Sequence, residues 1–201
     1  MTVDPYLILA VLLSYLIGCV PTGFWLGLAI KNIDIREHGS RNIGATNTLR
    51  VLGKPLGAIA LAGDMLKGVA AVQGFARLTG WEHAAIVCGV AAIVGHIFSV
   101  FVRFKGGKGV ATSTGVFLGL APLPTLITAA VFFAVVVVTR MVSAGSILGA
   151  LTLTALIWLL GYSLPLQIFT SAVALLVIVR HRTNIQRILE GNENRIGGKR
   201  T

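Results

Sequence analysis

The chain has 201 residues, 55% of them hydrophobic and only 12% charged, with 17 Lys and Arg against 7 Asp and Glu and a formal net charge of +10; its mean hydropathy is +0.86. A soluble domain of this length carries about 25% charged residues, so these values exclude one. The charges are bunched between long apolar tracts, which marks an all-α polytopic membrane protein, because a ~30 Å hydrocarbon core takes roughly 20 apolar residues to cross; a β-barrel, which alternates over segments of ~10 residues, is disfavoured.

Seven spans are expected, at about 6–30, 55–78, 83–101, 109–121, 123–139, 144–160 and 164–180, forming one domain over 1–201. The first starts at Tyr6 behind Asp4, with no basic segment before it and an apolar run too long for a cleavable signal, so it is expected to be retained. Between the first two spans lies EHGSRNIGATNTLR (37–50). Its Gly39, Ser40, Asn42, Gly44, Thr46 and Asn47 are small, hydrogen-bonding or permissive residues that suit an anion-binding nest, and Arg41 and Arg50 add bidentate charge. An ordinary polar loop is the plainer alternative.

In the second span Asp64 and Lys67 stand three apart, where they can neutralise each other. His96 lies about a turn inside the third span and suits a hydrogen bond to a neighbouring helix. The stretch FKGGKGVATS (104–113) follows. Gly106, Gly107 and Gly109 are expected to leave backbone amides uncovered, a helix starting near Val110 would aim its positive end at them, and Thr112, with Ser113, adds hydroxyls. An anion between Lys105 and Lys108 would relieve their repulsion. A glycine-rich turn with snorkelling lysines is the alternative.

The fourth span is short and parts from the fifth at APLP (121–124). Next comes the tight turn RMVS (140–143), whose Arg140 and Ser143 face one side. The seventh span runs into RHRTNIQRILEG (180–191), where His181, Asn184, Ile185 and Ile188 fall on one helical face, as in an amphipathic helix at the membrane surface. The tail 191–201 is expected to be flexible. Gly23/Gly27, Gly115/Gly119 and Gly145/Gly149 are small-residue pairs suited to close helix packing.

Lys and Arg in the short loops set the orientation. One side carries Lys31, Arg36, Arg41, Arg50, Lys54, Arg103, Lys105, Lys108, Arg140, Arg180, Arg182, Arg187, Arg195, Lys199 and Arg200; the other has Arg77 beside Glu82. The N-terminus is therefore expected outside and the C-terminus in the cytoplasm. This bias accounts for most of the positive charge without nucleic acid. Cys19 and Cys88 lie within apolar spans and fit neither a metal nor a disulfide pattern.

No carboxylate pair is spaced for metal binding or acid–base work, and HExxH and GxSxG are missing. So is His-x4-Asp: five residues beyond His38, His83, His96 and His181 stand Ile43, Cys88, Phe101 and Gln186. A site rich in anion donors and poor in bases fits a substrate that carries its own activation, with the protein orienting and neutralising it.

HGSRNIGATNTLR, GHIFSVFVRFKGGKGVAT and HRTNIQRILEGNE, in this order, resemble the bacterial acyl-phosphate:glycerol-3-phosphate acyltransferase family. The resemblance covers essentially the whole chain. It implies a multi-pass enzyme of the bacterial inner membrane, with its site on the cytoplasmic side. That enzyme would move a fatty acyl group from acyl phosphate to the 1-hydroxyl of glycerol 3-phosphate, giving lysophosphatidic acid and phosphate, with neither metal nor organic cofactor. It also implies partnership with the enzyme that makes acyl phosphate. On this footing Ser40, Asn42, Lys108, His181 and Asn184 are the expected catalytic residues. Substrate binding falls to Gly39, Gly44, Thr46, Asn47, Arg50, Lys105, Gly106, Gly107, Gly109, Thr112, Arg140 and Ser143. The attacking hydroxyl loses its proton to the donor's own phosphate, or else to His181. A transporter of an organic phosphate is the rival function, disfavoured by polar groups gathered on one face and by the lack of a visible inverted repeat.

Overall fold

A computed structural model describes residues 4–197, so Lys199, Arg200 and the end of the tail lie outside the described residues. Among the described residues the regular elements are all helices, with no strand, and they group into two compact units divided between Leu120 and Ala121.

In the first unit, α1 (Pro5–Cys19) is capped by Asp4, whose carboxylate accepts from the Tyr6 amide at 2.9 Å, and Pro5 supplies a preset first turn. The first span is not one rod. Pro21 lacks the amide that would continue the helix, and α2 (Thr22–Lys31) leaves α1 at 44°. The segment 37–50 is not all loop either. Ala45–Leu52 forms α3, between Gly44 and Gly53, and turns Asn47 and Thr48 inward. α4 (Lys54–Val69) continues through a π turn at Ala70–Gly74 and a 3-10 turn at Phe75–Leu78. α5 (Ala84–Ile97) and α6 (Val110–Leu120) complete the unit.

α1 packs on α5 and α4 on α6. These crossings are tight because small residues face backbone: a side chain at Gly18 would meet the Ala92 backbone, and one at Gly115 the Met65 carbonyl. Without a hydrophobic force between helices in lipid, dispersion at such close approach holds them together. The core beside α1 follows the same rule, being built of Ala10, Ala71, Ala84, Ala92 and the free thiol of Cys88. Gly23 and Gly27 admit both α3, through Thr48 and Leu52, and the carbonyls of Ile43 and Ile33 in the loop before it.

In the second unit, α7 (Pro122–Thr139) packs on α8 (Val142–Leu159), which packs on α9 (Leu164–Arg180). α9 bends by 58° at His181 into α10 (Arg182–Leu189). The expected face of α10 forms: His181 and Asn184 are buried, Ile185 and Ile188 half-buried. Large apolar side chains such as Val138 and Leu159 stand more than four-fifths exposed, as on a surface that meets lipid. By length and composition four helical segments can cross a membrane, or six if each bent pair counts as one span; the eleven residues of α6 fall short of that measure.

Candidate active site

The first unit carries two polar segments. Asn47, 1% exposed, is the peg of the loop before α3. Its side-chain oxygen accepts from the Ser40 amide at 2.8 Å, and its nitrogen donates to the Ile35 and His38 carbonyls at 2.9 and 3.1 Å. A side chain expected to meet substrate is thus occupied in shaping residues 35–40. Asn42 accepts from the Gly44 amide at 2.9 Å, closing a local turn ahead of α3. Ser40 and Arg41 are exposed, while Thr46 and Arg50 are half-buried. Arg36 is committed elsewhere, paired to Asp34 at 2.7 Å with its guanidinium 4.3 Å from the Phe24 ring centroid.

The glycine loop joins the end of α5 to the start of α6, and its geometry departs from expectation. The amides of Gly106 and Gly107 are not uncovered; they donate to the Ile97 and His96 carbonyls at 3.0 and 3.1 Å, closing the C-terminal end of α5. These two positions admit no side chain, since one at Gly106 would strike the His96 carbonyl and one at Gly107 the His96 ring. Gly109, at φ +87°, then turns the chain into α6. The first turn of α6 remains: its leading amides have no partner within the helix, although that of Ser113 donates to the Gly109 carbonyl at 2.8 Å. The buried hydroxyls of Thr112 and Ser113 add to it; they make no hydrogen bond among the described residues. The two lysines differ: Lys105 is exposed, Lys108 half-buried.

The second unit carries the remaining candidates. His181 is buried, and its Nδ1 lies 2.8 Å from the Val177 carbonyl. A carbonyl only accepts, so Nδ1 carries a proton and a neutral ring presents Nε2 as the acceptor. Ser143, in the first turn of α8, and Asn184, on α10, both donate to Glu193 Oε1, at 2.8 and 2.6 Å. Arg187 donates to Oε2 of the same carboxylate at 2.8 Å. Burial pushes the Glu193 carboxyl up, but the hydrogen bonds from Arg187, Asn184 and Ser143 outweigh it and hold it below the usual carboxylate range. Arg140, at φ +62°, is exposed and exchanges two bonds with Ile196, donating to its carbonyl at 3.0 Å and accepting from its amide at 2.8 Å. Within 191–197, Glu193 and Ile196 bond back to the second unit. Glu193 is a residue to which the sequence reading gives no role, although it follows Asn184 by nine positions within one polar segment.

Asp64 and Lys67 do pair, at 2.9 Å, and His96 joins them. Among the described residues no three His, Cys, Asp or Glu side chains gather as a metal site.

Fold and side chains together define a class: an integral membrane protein of apolar helices that gathers its hydroxyl, amide, imidazole and lysine groups at helix ends and the turns between them. Residues 8–191 match the family model described as glycerol-3-phosphate acyltransferase, and the chain belongs to that family. It is 43% identical over 189 residues to the glycerol-3-phosphate acyltransferase of Endomicrobium trichonymphae, covering 94% of this chain and 95% of that one. It is 46% identical to that of Halalkalibacterium halodurans, over 96% of each. Among solved structures it resembles PlsY (YgiH), an integral membrane glycerol 3-phosphate acyltransferase. The crystal structure of its glycerol 3-phosphate form superposes with a TM-score of 0.89 at 34% identity, over 95% of this chain and 96% of that one. The lysophosphatidic acid form gives 0.86 at 33%, over 94% of each.

Proposed function

We propose that this protein transfers a fatty acyl group from acyl phosphate to the 1-hydroxyl of glycerol 3-phosphate, in phospholipid synthesis. The observation that carries it is the family match over residues 8–191. In the reaction the hydroxyl oxygen attacks the acyl carbonyl carbon and the bond from that carbon to the phosphate oxygen breaks. The hydroxyl proton passes to the departing phosphate, giving 1-acyl-glycerol 3-phosphate and inorganic phosphate.

Roles follow residue by residue. Gly39, Ser40, Asn42, Gly44 and Thr46, with Gly109 and the first turn of α6 including Thr112, receive the acyl-phosphate head; Asn47 shapes the 35–40 segment, and Gly106 and Gly107 shape the turn into α6. Arg140, Ser143, His181 and Asn184 hold glycerol 3-phosphate, with Lys105 or Lys108 and Arg50 as further cations. The half-buried Lys108 has less competition from water than the exposed Lys105, which favours it over Lys105 for a substrate phosphate. A mixed anhydride is already activated, so alignment and neutralisation suffice. The whole chain works as one domain of seven spans, the four long segments, the two bent pairs and α6. Its N-terminus lies outside and its basic loops in the cytoplasm, in the bacterial inner membrane, beside the enzyme that makes its acyl donor.

The test uses purified protein in detergent or lipid cubic phase, with palmitoyl phosphate, glycerol 3-phosphate and EDTA, reading released phosphate and lysophosphatidic acid. Palmitoyl-CoA is the alternative donor and Lys108→Ala the control. Turnover with acyl phosphate alone, lost in the variant, is expected; no turnover by folded protein with any donor refutes the proposal. His181→Gln separates the two proton routes. A rate largely kept assigns the proton to the phosphate, and a fall toward background at unchanged binding assigns it to His181.

A further inference from the structure

Inside the first unit a buried polar chain lies against the glycine loop, and none of the roles above uses it. Lys67 Nζ on α4 is 2.9 Å from Asp64 Oδ1 on the preceding turn, 2.9 Å from Nδ1 of His96 on α5, and 2.9 Å from the Val20 carbonyl at the break of the first span. An ammonium has three protons, and here each has an acceptor. Thr22, just beyond the same break, donates to Asp64 Oδ1 at 3.1 Å. Asp64, Lys67 and His96 are all 5% exposed or less.

Mutual neutralisation of Asp64 and Lys67 would need only the two of them, since they sit on one helix face. The structure adds acceptors from two further segments. Because Lys67 donates to Nδ1, the neutral ring of His96 carries its proton on Nε2, and that end of the ring lies where a side chain at Gly107 would have to go. The backbone of the same residue accepts the Gly107 amide at 3.1 Å, and Ile97 accepts that of Gly106 at 3.0 Å. His96 therefore meets the loop twice, by its carbonyl and by its ring, and the ring is fixed from behind by Lys67.

We propose that Asp64, Lys67 and His96 are positioning residues for the reaction. They hold the Gly106–Gly107 backbone at the height from which Lys108 and the first turn of α6 meet a phosphate, and they tie that loop to the break between α1 and α2. The inference rests on the acyltransferase reading above. It predicts a selective defect, because a displaced loop weakens one phosphate site, whereas a merely less stable bundle lowers the active fraction and leaves both KM values alone.

The experiment measures kcat and both KM values in detergent, with a thermal melt for each variant. The variants are His96→Leu, His96→Asn and the charge-neutral pair Asp64→Asn/Lys67→Met, which leaves no lone buried charge. His96→Leu fills the apolar volume but cannot accept from Lys67, while Asn places an oxygen near the position of Nδ1. The expected result is a KM for one phosphorylated substrate raised on the order of 10-fold by His96→Leu, as a displaced site gives, with the other within about twofold. His96→Asn should recover most of that loss, and the charge-neutral pair should behave like His96→Leu. Should His96→Leu fail to fold, the charge-neutral pair carries the same split. Unchanged KM values with only a lower melting temperature, or Leu outperforming Asn, overturns the inference while leaving the enzyme intact. A folded wild type with no turnover overturns the acyltransferase reading itself, and this inference with it.

Discussion

Glu193 fastens the tail to two helices of the second unit, α8 and α10, and cutting that fastening has a calculable cost. Its carboxylate accepts from Ser143, Asn184 and Arg187, and its side chain is 2% exposed. Hydrogen bonds to a charged group contribute about 1.5–3 kcal/mol each where both partners are buried. Two of the three qualify; the Arg187 side chain is 36% exposed, so its share is discounted to about 0.5–1 kcal/mol. Glu193→Ala should therefore cost about 3.5–7 kcal/mol, which overlaps the range of about 3–5 kcal/mol for breaking a buried pair. Glu193→Gln keeps the oxygen facing Ser143 and Asn184 but sets an amide nitrogen against Arg187, so about 1–2 kcal/mol is expected. Hydrogen exchange at the Ile196 amide, which bonds to Arg140, reads the release of the tail directly. At 1.4 kcal/mol per factor of ten, protection should fall by about 100-fold or more in Glu193→Ala and by roughly tenfold in Glu193→Gln. Turnover should fall in the same order, because Ser143 and Asn184 lose the group that orients them. Full turnover and unchanged exchange in Glu193→Ala would refute the account. The pH dependence has a fixed sign: a carboxyl held below its ordinary value of 4.5 stabilises fully above that value, and the contribution disappears as pH falls below it through the folded-state pKa.

Asn47→Ala removes three hydrogen bonds at a fully buried position, so a loss of about 2–4 kcal/mol in a denaturant titration is expected, with Asn47→Asp worse because its carboxylate would face the Ile35 and His38 carbonyls. Gly106→Ala should abolish activity or folding, since its methyl would overlap the His96 carbonyl. Gly74→Ala, with open space around it, should stay within about 0.5 kcal/mol of wild type in a melt. Lys108→Ala should depress kcat/KM at least tenfold more than Lys105→Ala, because only Lys108 is shielded from water; equal effects would place both lysines at the surface.

The helices were readable because each apolar run is long enough to call for a span, and 55–78, 83–101, 123–139 and 144–160 lie within a residue or two of the observed segments. The face of α10 was readable for a similar reason, since 181, 184, 185 and 188 recur at helical spacing. Three features escaped, each set by something other than local pattern. Helix α3 has polar residues at Thr46, Asn47, Thr48 and Arg50 and is only eight residues long; it is defined by packing against α2 and α4. The glycines at 106 and 107 suggest open amides, but the carbonyls of Ile97 and His96, at the end of α5 nine and eleven residues back, take them. The tail reads as loose by composition, and the contacts that Glu193 and Ile196 make lie up to 56 residues away in sequence, beyond any local pattern. The bend of the first span follows from Pro21, which the continuous apolar run on either side conceals.

The eleven residues of α6 have a consequence for the lipid around the protein. At 1.5 Å per residue the helix rises about 16 Å, roughly half the hydrocarbon core. If it crosses, the bilayer beside it must dimple inward, or the glycine loop at its start must sit well beneath the headgroups, walled from hydrocarbon by neighbouring helices. Either arrangement puts the meeting point of a water-soluble phosphate and a fatty chain below the membrane surface rather than on it. Catalysis should therefore respond to the acyl length of the host lipid, since each added methylene pair changes how steeply the leaflet must curve to meet that helix.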